Sequence, residues 1–299
     1  MMNVAPKNTD FPANLIDGKA VAAREREALK EEVAEMTSQG LTPGLAVILV
    51  GDDPASQVYV QSKIKTCEEI GIRSFERRLP ADTQAQDLLA VIDELNKNKD
   101  VHGILLQLPL PEQLDANEMI LAIDPVKDVD GLHPENAGRL MAGMEGYVPC
   151  TPQGSMILIK EVEQNLSGLH AVVIGRSLLF GKPMGQLLLQ ENCTVTQTHS
   201  RTKDLPGVCK QADILVAAVG QPEMVKADWV KDGAIVIDVG INRLPHPDKP
   251  GKTKLYGDVE TDAVRPHVRA ITPVPGGVGP MTILCLLKNT VKAAKRQSA

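Results

Sequence analysis

The chain has 299 residues, 43% hydrophobic and 23% charged, a globular make-up with length for one large or two ordinary domains. A net charge of −6 and an aromatic content of only 2% exclude the basic, base-stacking surface that a nucleic-acid partner requires. No apolar run reaches the roughly 18 residues of a membrane span, and residues 1–14 lack the basic start and apolar stretch of a secretory signal.

From Lys19 to Ser38, the apolar residues Ala22, Leu29, Val33 and Met36 recur at helical spacing before Gly40. Leu45 to Val50 reads as a buried strand. Asp53 then offers an N-cap oxygen, Pro54 suits the first helical position, and nothing breaks the helix until Gly71. On that helix Tyr59 and Lys63 share one stripe, one turn apart, while Val60, Ile64 and Cys67 form the packed face. Lys63 therefore projects from the edge of a buried surface beside a phenol. An amine so placed loses hydration, its pKa falls toward neutrality, and it becomes able to pass protons.

Arg73 to Leu79 reads as a second strand, Thr83 to Lys97 as a helix, and Val101 to Leu108 as a third strand cut off by Pro109 and Pro111. Strands alternating with helices imply a parallel sheet, whose ligands gather at the carboxyl ends of the strands. Gln107 lies at such an end, as does the turn leading to Tyr59 and Lys63, so the two can converge. The stretch Asp124-Pro-Val-Lys-Asp-Val-Asp-Gly131 carries three carboxylates. It is no EF-hand, because Gly131 at loop position six would put Val126 first and Ala137 last. Two of the three read as Asx-turn residues of a surface loop, and Asp130 as a ligand-orienting carboxylate. His102 and His133 have no partner pattern and read as structural.

Residues 143–154 form a boundary rich in turn chemistry, followed by a helix over 153–164. His170 to Ile174, Thr194 to Thr198, Asp213 to Val219 and Ala234 to Val239 read as strands of a second doubly wound unit, with a helix running to Gln190 between the first two. A Gly- and Pro-rich turn, Thr272 to Met281, precedes a terminal helix with Leu284, Leu287, Val291 and Ala294 on one face. The expected fold is thus α/β with two domains and a cleft between them. Residues 1–150, rejoined by a helix at 280–299, make the catalytic domain, and 151–279 a Rossmann-like domain.

The turn at Gly175 departs from G-x-G-x-x-G, reading G-x-S with Gly181 four residues past the Ser, but it has a strand before it and a helix after it. Such a helix start presents free N–H groups and a positive dipole end to a phosphate. A NAD site places Asp or Glu at the end of the next strand. Here His199-Ser200-Arg201 stands there, and with Arg176 it suits a 2′-phosphate, so the expected cofactor is NADP. The five cysteines, Cys67, Cys150, Cys193, Cys209 and Cys285, never form a C-x-x-C pair. They read as reduced thiols in a cytoplasm, not as a disulfide framework or zinc site.

Several motifs stand in one order: Tyr59-Val-Gln-Ser-Lys63, Gly103-Ile-Leu-Leu-Gln-Leu-Pro-Leu-Pro111, Lys127-Asp-Val-Asp-Gly131, Pro149-Cys-Thr-Pro152, Gly175-Arg-Ser177, Gly181-Lys-Pro-Met184, Thr194-Val-Thr196, His199-Ser200 and Pro273-Val-Pro-Gly-Gly-Val-Gly-Pro-Met-Thr282. With them the chain, from about Leu15 to Ala294, resembles the bifunctional methylenetetrahydrofolate dehydrogenase/cyclohydrolase family. Phe180 stands where a smaller aliphatic residue is expected. The resemblance implies NADP-dependent oxidation of 5,10-methylenetetrahydrofolate to the methenyl compound, then hydrolysis to 10-formyltetrahydrofolate at the same site, within one-carbon metabolism. It makes Lys63 the essential acid/base group, with Gln107 hydrogen-bonded to it and favouring its neutral form. Tyr59 would stack near the folate, and Asp130 would bind the pterin edge. Leu106 and Leu108 would flank Gln107 in the substrate pocket, and Pro275, Gly276, Gly277, Val278 and Gly279 would line it. Gly175, Arg176, Ser177 and Ser200 would hold NADP, with Ile241 along it. The resemblance calls for no metal, and implies a homodimer acting on a small-molecule folate.

Other readings remain open on residues alone. A shikimate-type dehydrogenase also pairs Lys with Asp, although Gln107-Leu-Pro-Leu-Pro111 and the late Gly/Pro turn speak against it. An NADP-binding sensor would retain the fold without the chemistry, and a dehydrogenase-only relative would lack the second step.

Overall fold

The structure is a computed structural model that describes residues 14–246 and 251–298. In chain order the elements are α1 (Gly18–Ser38), β1 (Gly44–Val50), α2 (Pro54–Ile70), β2 (Arg73–Leu79), α3 (Ala85–Lys97), β3 (Gly103–Leu106), α4 (Ala116–Ala122), α5 (Pro134–Met141) and α6 (Cys150–Val162). There follow β4 (His170–Ile174), α7 (Gly181–Gln190), β5 (Thr194–Thr198), α8 (Leu205–Cys209), β6 (Ile214–Ala217) and β7 (Ile235–Asp238). The last are β8 (Asn242–Pro245), β9 (Thr253–Tyr256), α9 (Thr261–Val264), β10 (Ala270–Ile271) and α10 (Val278–Ser298). The chain divides into two compact units, one of residues 23–150 with 282–298, the other of residues 14–22 with 151–281. Among the described residues no helix is long and apolar enough to cross a membrane.

The first unit is built on a parallel sheet of order β2-β1-β3. The central strand, Gly-Leu-Ala-Val-Ile-Leu-Val, is buried along its whole length, as a continuous apolar run must be when both faces are covered. Leu88, Ile92 and Leu95 recur at helical spacing on α3 and pack with Ala46, Ile48, Ile104 and Met119 in one core. Each such side chain contributes about 1.5–3 kcal/mol by leaving water, and Ile92→Ala would cost about 2–5 kcal/mol through the cavity it leaves. The Asp53 carboxylate caps α2 by accepting from the Ser56 N–H, and Gly71 ends the helix in the left-handed conformation. In this unit Lys288 and Lys295 of α10 pair with Glu25 and Glu32 of α1. Partners in both helices advance by two turns together, so α1 and α10 run side by side in the same direction.

The second unit carries a five-stranded parallel sheet of order β10-β7-β6-β4-β5 and an antiparallel β8–β9 ribbon. From β4 the chain crosses to β5 on one side and then returns past β4 to β6 on the other. The point where the winding reverses lies between β4 and β6, where such sheets open a crevice at the strand carboxyl ends. Its core joins Val172, Ile174, Leu215, Ala217, Val236 and Ile271.

Several boundaries differ from the sequence expectation for identifiable reasons. β3 spans four residues instead of 101–108, because Val101 and His102 turn in from α3 and Pro109 has no N–H to extend the ladder. α6 starts at Cys150, ahead of the expected 153, and α10 starts at Val278, because Pro152 and Pro280 fall in first turns where their missing N–H is not needed. The short helices α4 and α5 span seven and eight residues, too few turns for a helical period to show in sequence.

Candidate functional site

Lys63 sits two turns into α2 on the stripe that borders the buried face formed by Val60, Ile64 and Cys67. Its side chain is only 8% exposed. Nζ donates a 2.9 Å hydrogen bond to Oε1 of Gln107, which stands just past the carboxyl end of β3. The Gln107 carboxamide donates through Nε2 to the Leu108 carbonyl. That bond requires the nitrogen on the Leu108 side, so the oxygen must face the lysine. The Tyr59 ring lies one turn back on α2, its centroid 6.0 Å from Nζ, and is 40% exposed.

Burial drives the Lys63 pKa below its ordinary 10.5, while the neighbouring Asp130, Cys150 and Cys67 resist that shift. Asp130 responds in the opposite sense. Burial raises its carboxyl above 3.8, and Lys63 and a hydrogen bond from the Cys150 thiol hold it down. Lys63, Gln107 and Asp130 are thus brought together with Tyr59; strand order allowed Gln107 and Lys63 to converge, and the fold adds Asp130 to them. Leu106 is buried in the core with Ile48 and Ile104, and Leu108 packs against the same cluster. The Leu106 side chain is committed to packing, which leaves its backbone groups to meet a ligand, whereas Leu108 is only partly buried.

The loop carrying Asp130 is held from below. Asp124 makes an Asx-turn, accepting from the Val126 N–H. Asp128 corrects the surface-loop expectation: it is 2% exposed and accepts from the Leu132 and His133 N–H groups and from Asn136. Burial, acting first, pushes its carboxyl up to about 6 against these three donors. His102 and His133 are structural, accepting from the Gly44 and Glu135 N–H groups respectively.

Cys150 and Asn289 had no assigned role in the sequence reading. The Cys150 thiol is buried against Lys63 and Asp130, and burial, acting first, raises its pKa well above 9.0. Asn289 of α10 donates to the carbonyls of Val129 and Val148, tying together the chain segments that carry Asp130 and Cys150. Cys150 lies inside the Pro149-Cys-Thr-Pro152 motif, so sequence marks its neighbourhood. Asn289, 160 positions from Val129, carries no such mark.

In the second unit the remaining candidates stand at the carboxyl edge of the sheet. Ile174 and Thr198 are register partners, so the turn Gly175-Arg176-Ser177 adjoins His199-Ser200-Arg201. Arg176, Ser177, Ser200 and Arg201 are all exposed. Gly175 has φ +124°, and a Cβ there would overlap the Ala218 carbonyl; one at Gly181 would overlap the Gly175 carbonyl. The backbone is therefore pressed close where a phosphate would approach the start of α7, as a dinucleotide turn requires. The Ser177 hydroxyl accepts from the Phe180 N–H, which leaves its own proton to donate outward. Phe180 itself is buried, so the fold accommodates the larger ring. Ile241 follows β7 and is half-exposed, and Pro275 to Gly279 follow β10, with the Gly276 carbonyl accepting from the Lys19 N–H. The exposed cationic pair, and the absence of an acidic residue at the end of β5, fit a 2′-phosphorylated dinucleotide.

Comparison with known proteins gives one family. The profile described as tetrahydrofolate dehydrogenase/cyclohydrolase, catalytic domain, matches residues 16–130, and that for the NAD(P)-binding domain matches residues 149–298. The chain is 59% identical over 285 residues to the bifunctional protein FolD of Paramagnetospirillum magneticum, covering 95% of this chain and 96% of that one. Identity to the FolD of Dinoroseobacter shibae is 60% over 285 residues, covering 95% of each. Among solved structures it is similar to the bifunctional FolD methylenetetrahydrofolate dehydrogenase/cyclohydrolase of Campylobacter jejuni, with a TM-score of 0.90 at 49% identity, covering 94% of this chain and 98% of that one. It is also similar to the Trypanosoma brucei dehydrogenase-cyclohydrolase complexed with NADP cofactor and inhibitor, with a TM-score of 0.89 at 40% identity, covering 95% and 98%. Matched by both profiles and by such relatives across nearly its whole length, the chain belongs to the tetrahydrofolate dehydrogenase/cyclohydrolase family.

Proposed function

We propose that the chain oxidises 5,10-methylenetetrahydrofolate to 5,10-methenyltetrahydrofolate with NADP+, and hydrolyses that product to 10-formyltetrahydrofolate, with Lys63 as the acid/base group. The single observation that carries the role of Lys63 is its buried amine, hydrogen-bonded to the Gln107 carbonyl oxygen. When bound, NADP+ supplies the nicotinamide ring that accepts the hydride. Gly175, Arg176, Ser177 and Ser200 would hold it, with Arg201 beside the 2′-phosphate and Ile241 along the cofactor.

The methenyl product is a cation, and a protonated Lys63 near its reacting carbon would repel it. Burial favours the neutral amine. One N–H goes to Gln107 Oε1, which turns the lone pair elsewhere, free to take a proton. In hydrolysis Lys63 Nζ accepts a proton from the water whose oxygen bonds to the methenyl carbon. As the bond from that carbon to N5 breaks, this proton passes to N5, while the carbinol O–H gives up its proton to solvent as the C=O bond forms, leaving the formyl group on N10 and one proton released overall. Arginine could not serve, because it does not deprotonate. The Asp130 carboxylate would accept two N–H bonds from the pterin edge, and Tyr59 would stack on the ring system.

In this reading the unit of residues 23–150 with the terminal helix is the folate domain, and the unit of residues 151–281, joined by 14–22, is the cofactor domain. The chain works in the cytoplasm as a homodimer; family resemblance supports the dimer, and five free, buried cysteines support the compartment. The test is spectroscopic: purified chain with methylenetetrahydrofolate and NADP+ should form NADPH, and supplied methenyltetrahydrofolate should decay at an enzyme-dependent rate. Absence of either reaction would defeat the assignment, and light scattering tests the dimer.

A further inference from the structure

Two carboxylates are buried at the carboxyl edge of the second sheet, and neither belongs to the residues assigned above. Asp238 ends β7 and Asp258 follows β9; both are almost completely shielded from water. Asp258 receives four hydrogen bonds. Oδ2 accepts from the N–H groups of Val219 at 2.6 Å and Gly220 at 3.0 Å. Oδ1 accepts from the Gln221 N–H and the Asn242 carboxamide, each at 2.9 Å. Asp238 in turn receives the N–H groups of Asp258, Val259 and Gly240. A side chain at Gly257 would overlap the Asp238 carboxylate, so the two strand-end segments meet backbone to carboxylate.

Burying two carboxylates side by side is costly, and an ordinary apolar turn would close these loops without it. What the arrangement achieves is rigidity at one place. The segment 218–221 leaves β6 at the winding reversal, and its Ala218 carbonyl already presses on Gly175. Gly220 and Gln221 are exposed on the outer side, while Asp258 fixes their N–H groups from the inner side. A loop that would otherwise adopt many conformations is set before any ligand arrives, which lowers the ordering cost of binding.

We propose that Asp258, itself anchored by Asp238, is a positioning residue for the dinucleotide, holding the 218–221 loop as the β6 wall of the crevice beside Gly175. This rests on the NADP-dependent reading above. Asp258→Asn replaces one acceptor oxygen by an NH2 group that faces N–H donors, so the loop loses its clamp. Loss of such charge-assisted bonds should weaken NADP+ binding about tenfold or more by calorimetry, and raise the KM for NADP+ more than it lowers kcat. In the cofactor-free chain, hydrogen exchange at the amides of residues 219–221 should speed up about tenfold. Hydrolysis of supplied methenyltetrahydrofolate, which depends on Lys63 in the other unit, should stay within about twofold of the wild-type rate.

A folded Asp258→Asn chain with wild-type NADP+ affinity and unchanged exchange would overturn the proposal. Should that variant not fold, Asn242→Ala decides: it removes one donor to the same carboxylate and should weaken NADP+ binding about threefold, and an unchanged affinity would be fatal. A wild-type chain that binds NADP+ but leaves methylenetetrahydrofolate untouched defeats the reaction assignment alone. Normal wild-type turnover beside an indifferent variant defeats the positioning role alone, and a wild-type chain that binds no NADP+ defeats both.

Discussion

Lys63 Nζ and Gln107 Oε1 lie 2.9 Å apart across 44 positions of sequence. The lysine is delivered by the helix after β1 and the glutamine by the end of β3, and those two strands are hydrogen-bonded neighbours in parallel register. The contact therefore depends on strand pairing. It would be lost if β3 slipped by one residue, because a one-residue slip turns every side chain to the opposite face.

Lys63→Met should abolish methenyl hydrolysis, with a loss of about 10²–10⁴-fold if the amine is the acid/base group, while NADP+ affinity stays unchanged. The same variant should be more stable. Because the folded-state pKa is lowered, the folded chain holds fewer protons than the unfolded chain between that value and 10.5. Stability then rises with pH across that window, and at neutral pH the buried amine is a cost. Thermal unfolding at pH 7 should show a gain of about 2 °C, as removal of a strained site group commonly gives. A fall in Tm would show that the lysine is a structural ion-pair partner.

Gln107→Glu places a second carboxylate against Lys63. The added negative charge favours the ammonium, so the pKa of Lys63 should rise. The inflection in the rate of methenyl hydrolysis against pH should move upward, with slower turnover at pH 7. A profile that keeps its wild-type inflection would mean that the hydrogen bond does not tune the base.

Gly181→Ala puts a methyl group into the Gly175 carbonyl at the start of α7. The turn must open to relieve this overlap, at a cost of about 1–3 kcal/mol. NADP+ binding should fall by about tenfold or more, with methenyl hydrolysis retained. Arg201→Ala, by contrast, should weaken NADP+ and leave NAD+ affinity alone, because only the former carries the 2′-phosphate. Equal losses for both cofactors would remove Arg201 from the 2′-phosphate site.

The carboxyl of Asp128, raised to about 6 chiefly by burial, gives a pH signature of the opposite sign to the usual salt-bridged aspartate. Between 3.8 and about 6 the folded chain binds more protons here than the unfolded chain, so this group's contribution falls as pH rises through that window. Urea unfolding of wild type and Asp128→Asn should show the variant gaining on wild type from pH 4 to pH 7, by about 2 kcal/mol. A variant that loses ground over that range would mean that the three N–H donors outweigh burial.

The cysteines should be inert in the folded chain. All five are buried, and burial raises the thiols of Cys67, Cys209 and Cys285 to about 12. Alkylation at pH 8 should be slow until denaturant is added, since only the thiolate reacts. Fast labelling of Cys150 in the native state would show that the Lys63 pocket opens.

By itself the sequence determined the repeating strand–helix order, the capped helix carrying Tyr59 and Lys63, the Gly175 turn and the family motifs. These are written in local spacing: a buried strand is a continuous apolar run, and a cap is one residue type at one position. Only the tertiary structure decided which loops share an edge. It set Gln107 against Lys63, buried Asp128 instead of leaving it on a surface loop, drew Cys150 and Asn289 to the Asp130 segment, and brought the Asp258 N–H onto the Asp238 carboxylate. Each of those relations joins residues through strand order or helix docking, and a carboxylate has the same local sequence signature whether its acceptor oxygens face water or a ring of backbone N–H groups.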